Sequence, residues 1–200
     1  DSECGGVVWT EEATSTMESM REVLRGRGAG EGGVLGVAAR RQTAGRGTRG
    51  RAWESAEGNL LLTLALPVAM LSVPITHVPL GVGVVLANVV SASLPAETSP
   101  LVRLKWPNDV LIGDAKVCGI LLEVEGSWLL IGIGLNVLSA PRLPAMGPDA
   151  GGRPPTCLAD HGGGAEGVES LGEAVRAGVE AWARRGGAAG AEGTVGEWSA

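Results

Sequence analysis

Three apolar runs, at 110–112, 116–124 and 128–137, follow one another with only Gly113-Asp114-Ala115 and Glu125-Gly126-Ser127 between them. Connections that short join antiparallel strands, because a parallel pair needs a crossover of a dozen or more residues. This part of the chain therefore reads as an antiparallel meander. An apolar strand at 101–106 precedes it, is broken by Pro107-Asn108-Asp109 and resumes at 110. Upstream lie a short strand at 7–9, a buried strand at 34–39 and another at 59–66, bounded by Gly58 and Pro67. Helical signals alternate with these. Thr14-Ser15-Thr16 opens a helix running to about Arg25, with Ser15 or Thr16 as its cap and Glu18 in the capping-box position. Residues 75–94 form a long helix of little charge, in which Gly81 and Gly83 mark close packing on the sheet. Residues 168–185 put Leu171, Val175, Val179 and Trp182 on one face. A short helix is expected over 156–161. Loops are expected at 25–33 and 141–155, and a Gly/Ala linker leads to 195–200.

Two hundred residues with 44% apolar content make one domain with a proper core. That core must be built without Phe or Tyr, so Leu, Val and Trp are expected to fill it. A net charge of −6 argues against a general nucleic-acid surface. No run of 18 apolar residues stands out, and the glycines interrupt the 75–94 helix, so no membrane span is expected. Cys4, Cys118 and Cys157 are too few and too scattered for a disulfide framework or a zinc site. The expected compartment is reducing and cytoplasmic, or an organelle if a leader has been removed ahead of Asp1.

Positive charge is concentrated in Gly45-Arg46-Gly47-Thr48-Arg49-Gly50-Arg51-Ala52-Trp53. Glycines at φ > 0 let successive N–H groups turn inward as an anion nest. Arginine adds a fork for phosphate or carboxylate, and tryptophan offers a flat face for a base. The simplest ligand to want all three is a nucleotide or an acyl-adenylate. The stretch also matches G-x-G-x-x-G, but a dinucleotide site needs a helix starting inside the loop and an acid about 20 residues on; Met70 and Leu71 stand there instead.

A second polar cluster, Lys105-Trp106-Pro107-Asn108-Asp109, ends an apolar strand, and Lys116 follows across one hairpin. Strand alternation puts Lys116 on the face of Cys118, Ile120 and Leu122, where an ammonium is costly unless an anion meets it. Gly119 beside it lets a ligand approach the backbone. The competing readings are a salt bridge of Asp109 with Lys105 or Arg103, and snorkelling of Lys116 at a strand edge. Lys105 and Lys116 are the only lysines in the chain.

Taken together, residues 42–53 (Gln42 to Trp53), 105–109, 116–123 and 132–137 (Gly132-Ile133-Gly134-Leu135-Asn136-Val137) resemble biotin protein ligases in order and spacing, over about residues 7–198. Ser15-Thr16-Met17 falls where that family has Ser-Thr-Asn. The resemblance implies an α+β fold: a mixed, largely antiparallel sheet flanked by helices, the class II synthetase-like catalytic domain of biotin and lipoate ligases. It implies one catalytic domain over 1–200, without the family's N-terminal DNA-binding domain or C-terminal β-barrel. It implies that biotin and Mg-ATP give biotinyl-5′-adenylate and pyrophosphate. The biotinyl group then passes to a lysine on the biotin carboxyl carrier domain of a biotin-dependent carboxylase. No nucleic-acid or membrane partner is expected, and a homodimer is left open. Ser15, Thr16 and Gln42 would hold the ureido head. Gly45, Gly47 and Gly119 would border the biotin and its anhydride. Arg46, Arg49, Arg51 and Lys105 would offset charge repulsion. Lys116 would sit on the carboxylate and α-phosphate. Trp53 would stack on adenine, Asn108 and Asn136 would read its edge, and Asp109 would hold Mg2+ or orient the cations. Two departures stand out. Thr48 replaces an arginine common in the family, which implies a looser hold on the adenylate, and Met17 replaces Asn. A lipoate-type ligase and a non-catalytic biotin- or nucleotide-binding domain are the alternatives.

Overall fold

The strand Leu60–Pro67 is buried along its whole length, which makes it an interior strand covered on both faces. The sheet around it consists of β1 (Val7–Ala13), β2 (Leu35–Gln42), β3 (Leu60–Pro67), β4 (Val102–Lys105), β5 (Asp109–Ile112), β6 (Ala115–Glu125) and β7 (Trp128–Leu135). The computed structural model describes residues 6–27, 33–54, 56–141 and 153–186, the side chain of Arg49 excepted. Cys4, most of the 141–155 stretch, part of the 25–33 loop, and the linker with 195–200 lie outside the described residues. Among the described residues the strand order is β1-β2-β3-β7-β6-β5-β4. Only β1 and β2 run parallel; every other pairing is antiparallel. This is the mixed, largely antiparallel sheet expected.

Period-2 alternation sends the two faces of β3 into two cores. Leu60, Leu62, Leu64 and Leu66 join the larger core, shared with α2 (Val78–Ala92) and α3 (Gly167–Arg184). Ala65 joins a smaller one under α1 (Thr16–Leu24), with Met17, Met20, Leu24, Trp128 and Leu130. Tryptophan and leucine do the work of the missing Phe and Tyr. Trp182 is 3% exposed, and its indole lies so close to α2 that a Cβ at Gly81 would stand 2.2 Å from Cε2. Gly178 of α3 likewise lets Val85 approach. The helix glycines therefore mark close packing, chiefly of helix on helix.

Several expectations are corrected. The strand expected at 7–9 runs on to Ala13. Residues 110–112 do not resume the preceding strand: the chain reverses at 106–108, so Lys105 faces Asp109 across an antiparallel pair. Only Ala159–His161 of the expected helix forms, as a single 3-10 turn. By length and composition residues 75–92 could cross a membrane, with a mean hydropathy of 1.7 over 18 residues. In this fold Val78, Val82, Leu86 and Val90 of that segment are buried in the larger core.

Placing a methyl at Gly81 forces the Trp182 ring out of a filled core. Gly81→Ala is expected to lower stability by about 1–3 kcal/mol, read as a lower urea midpoint at unchanged slope.

Candidate functional site

On the α1 side of the sheet, β6 and β7 lose their side chains. The cleft face of β7 carries Leu130, Gly132 and Gly134, and across the ladder Gly119 pairs with Gly134 and Leu121 with Gly132. Over this floor opens a cleft of about 470 Å3, its mouth included. Its walls are the start of α1 (Ser15, Thr16, Met17), Gln42, the arginine-glycine loop (Arg46, Gly47, Thr48, Trp53), Asn108 and Lys116.

A β-bulge brings Lys116 into this cleft. Leu111 pairs with Lys116 but Val110 with Cys118, so Val117 is an extra residue in β6. The extra residue reverses the alternation. Val117, Cys118 and Ile120 pack in the larger core, whereas Lys116 shares the cleft with Gly119 and Leu121. The expectation that Lys116 lies on the face of Cys118, Ile120 and Leu122 is thus overturned, because strict alternation assumed an unbroken ladder. Burial pushes the Cys118 thiol up to about 12, which keeps it inert on the far side of the sheet.

Lys116 Nζ hangs over the floor, 3.1 Å from where a Cβ on Gly119 would stand, and 5.4 Å from the centroid of the Trp53 ring. It lies 2.6 Å from Asp109 Oδ1. The approach misses hydrogen-bond geometry, so the contact is an ion pair. Asp109 therefore does form a salt bridge, but with Lys116 rather than Lys105 or Arg103. Trp53 lies across the paired glycines, since a Cβ on Gly134 would fall 2.3 Å from its Cε2.

Toward α1 the cleft becomes polar at one edge. Gln42 Oε1 accepts from the Thr16 N–H at 2.8 Å and from Thr16 Oγ1 at 3.2 Å. Thr63 Oγ1 donates to Thr16 Oγ1 at 2.9 Å. Ser15 is the helix cap, its Oγ accepting from the Met17 N–H. Met17 Sδ lies 3.1 Å from where a Cβ on Gly132 would stand. Gly132 and Gly134 are two residues apart, about 7 Å along the strand. Thr63 pairs with Gly132, so the polar edge lies toward β3, whereas Lys116 Nζ lies over Gly119 of β6, on the other side of β7.

The loop closes on itself. Gly47 N–H donates to the Arg51 carbonyl at 2.7 Å and Trp53 N–H to that of Gly45 at 2.9 Å. A 3-10 turn, Thr48–Gly50, forms the tip, and no helix starts there, as a dinucleotide loop would require. Of the loop glycines only Gly50 has a positive φ; Gly47 serves close approach instead, a Cβ there falling 3.3 Å from the Arg51 oxygen. The expected nest is corrected accordingly: its N–H groups are partly spent on loop closure. Arg46 is likewise engaged elsewhere. Its Nη2 reaches Glu18 at 3.1 Å and Glu123 at 3.4 Å, the same carboxylates that bind Arg21 of α1. Burial opposes the Arg21 charge, but hydrogen bonds to Glu125 and Glu123 outweigh it and raise its pKa. Glu18 thus latches the loop and does not complete a capping box.

The cleft brings together Ser15, Thr16, Gln42, Arg46, Gly47, Trp53, Asn108, Lys116 and Gly119 of the residues expected there. Gly45 is not on its wall. Arg51 folds back on Thr48. Lys105 and Asp109 line a smaller hollow behind the β4–β5 turn, joined to the cleft through Asn108 and Ile120. Asn108 Nδ2 is committed to the Ile120 carbonyl. Asn136 is buried, with Nδ2 donating to the Thr156 carbonyl at 2.9 Å, while its Oδ1 has no partner among the described residues. Thr63, Gly132, Gly134, Glu18 and Glu123 were not anticipated. Thr63 was visible as the lone polar residue in an otherwise apolar strand.

Comparison with known proteins agrees with this geometry. Residues 14–137 match the model of the biotin/lipoate A/B protein ligase family. The biotin--[acetyl-CoA-carboxylase] ligase of Mycobacterium tuberculosis is 39% identical over 129 residues, covering 62% of this chain and 46% of that protein. The enzyme of the same name from Paracoccus denitrificans is 40% identical over 135 residues, covering 60% and 52%. Among solved structures, the biotin protein ligase of Leishmania major with biotinyl-5-AMP superposes with a TM-score of 0.73 at 30% identity, covering 90% of this chain and 75% of that one. The Aquifex aeolicus enzyme with biotin and ATP gives 0.65 at 27% identity, covering 90% and 72%. The fold is that of the ligase catalytic domain, and the chain belongs to the biotin/lipoate A/B protein ligase family. It spans about half the length of the curated relatives it matches.

Two outcomes follow from the geometry. Glu123→Gln is expected to speed tryptic cleavage after the loop arginines by about two- to fivefold, the range allowed by a partly exposed ion pair of up to ~1 kcal/mol. Unchanged digestion would show that the latch does not hold the loop. Gly134→Ala is expected to expel the Trp53 ring while leaving the unfolding free energy read in urea within about 0.5 kcal/mol of the parent, because the loop can yield where the core cannot.

Proposed function

We propose that the chain is an ATP-dependent biotin protein ligase. In this reading it makes biotinyl-5′-AMP and transfers the biotinyl group to a lysine of a biotin carboxyl carrier domain. The observation that carries the reading is Lys116: an ammonium on a glycine floor, beside an indole, in the same cleft as a Thr–Gln pair. A ligand that suits this slot has a small polar head, an apolar middle and an anionic end. Biotin has all three.

The chemistry follows from the residues. Thr16, Gln42 and Ser15 orient the head, while Met17, Leu121 and the glycines accept the apolar chain. Lys116 meets the carboxylate and, as a carboxylate oxygen attacks the α-phosphorus and the bond to the leaving pyrophosphate breaks, the charge that builds on the phosphoryl oxygens. Lys105, from the adjoining hollow, brings a second cation toward the polyphosphate. Trp53 supplies a stacking face for adenine. The acceptor amine then attacks the acyl carbon and AMP leaves.

Mg2+ fits this set only as an ion that arrives with ATP. Among the described residues no group of three or more His, Cys, Asp or Glu could hold a metal ion. One or two carboxylates with substrate phosphates are enough for Mg2+, and Asp109 would be the protein's oxygen donor. When bound, the ion would neutralise charge on the phosphates. A lipoate-type specificity is separated by competition: excess lipoate should leave biotinyl-adenylate formation unchanged.

Lys116→Ala should reduce biotinyl-adenylate formation by about 100-fold or more, the scale for losing one charge-stabilising donor, while biotin affinity is largely kept. Pyrophosphate release and biotin titration measure the two. Trp53→Ala should raise the ATP KM by about tenfold, consistent with stacking of ~1–3 kcal/mol per base. The biotin KM should change much less, and equal changes would count against adenine stacking.

A further inference from the structure

Thr63 is the one polar side chain in β3, and it is wholly buried. Valine would fill its place with the same shape and nothing to satisfy, so the strand itself has no use for the hydroxyl. We propose that Thr63 is a specificity-determining positioning residue: acting through Thr16, it makes the polar edge of the cleft an acceptor for a single ligand N–H. The inference rests on the ligase reading above and deepens it, since the cyclic urea of biotin presents N–H groups and a dithiolane has none.

The direction of each hydrogen bond here follows from one backbone group. The Thr16 N–H can only donate, and it meets Gln42 Oε1 at 2.8 Å, so the oxygen of that amide faces α1. An amide oxygen can only accept, so the 3.2 Å contact from Thr16 Oγ1 uses the one hydroxyl proton Thr16 has. The 2.9 Å contact between the two threonines must then run from Thr63 Oγ1 to Thr16 Oγ1. Thr16 Oγ1 is left with no proton to give and, among the described residues, one open lone pair of its two. Thr16 lies on the cleft wall, whereas Thr63 stands behind it. A ligand atom that reaches the Thr16 oxygen therefore has to be a donor, and there is a place for one. A carbonyl, ether or thioether brought to the same point would set lone pair against lone pair and leave the buried oxygen short of a bond. Thr63 holds the acceptor in position. Its backbone is paired with Val37 on one side and Gly132 on the other, so its hydroxyl ties the Thr16 oxygen to the sheet that carries the glycine floor. Without that hydroxyl Thr16 keeps its bonds to Gln42 but loses its tie to the sheet.

The test follows pyrophosphate release with Mg-ATP and, as the acid, biotin or either of two analogues in which one ureido N–H is replaced by CH2. In the parent, the analogue lacking the N–H that Thr16 receives should show a KM about fivefold or more above that of biotin, the scale of one hydrogen bond. Thr63→Val should raise the biotin KM by about fivefold and leave the ATP KM unchanged. For that analogue the same substitution should change the KM by less than about twofold, because the bond it weakens is already missing. Thr63→Ser, which keeps the hydroxyl, should restore the biotin KM. Thr63→Ala removes the hydroxyl without placing a methyl against Thr16 and is read in the same way if Thr63→Val does not fold. A purely structural role would raise the KM of biotin and of both analogues by one common factor, and that result would overturn the proposal. So would a parent that uses both analogues as well as biotin, or an unchanged biotin KM in the folded variant without the hydroxyl. Absence of pyrophosphate release by the parent with biotin would instead overturn the ligase reading, and the proposal with it.

Discussion

A sheet packed on both faces has no room for a ligand unless some of its side chains are removed. β6 and β7 make that room by pairing Gly119 with Gly134 and setting Gly132 opposite Leu121. The missing side chains leave a trough whose floor is backbone. Everything at the site is fitted to that trough: Met17 against Gly132, and the Trp53 ring against Gly119 and Gly134. The other face of the same strands stays filled, with Ile120, Ile131, Ile133 and Leu135 in the larger core. The trough therefore costs the domain little of its buried area, because alternation separates the face that binds from the face that holds the fold together.

The bulge at Val117 solves a second problem, which is how to put a charge on that floor. Without the extra residue, Lys116 would share the core face with Cys118 and Ile120, where an ammonium has no water and no partner. With it, the side chain emerges beside Asp109 at the rim. The loop is held by a separate set of charges. Arg46 and Arg21 share Glu18 and Glu123 at the other end of the cleft. Glu123 is seven residues from Lys116 along β6, about 20 Å of strand. Among the described residues the loop thus meets Lys116 through Trp53, not through the Arg46 guanidinium.

Much of the fold was legible because its signals are local. The three-residue turns marked the meander, and Thr14-Ser15-Thr16 announced the start of α1, which Ser15 caps. The apolar run at 59–66, bounded by Gly58 and Pro67, read as a strand and is one. Reading failed where a residue's direction depended on its partner strand. The bulge is a property of two strands in register, and nothing in the order Lys116-Val117-Cys118 shows it. The burial of Asn136 was hidden for a related reason: its Nδ2 donates to the carbonyl of Thr156, a residue distant in sequence. The loop glycines misled because Gly serves close approach as readily as positive φ, and the composition of the loop does not distinguish these uses.

Residue type and residue geometry make different statements about the two lysines. Arginine holds a carboxylate or phosphate better than lysine does, with two bonds in place of one point charge. A chain that uses arginine almost throughout and lysine only around Asp109 therefore does not choose lysine there for grip. The compact ammonium fits above Gly119, in a space bounded by the Trp53 ring and the carboxylate.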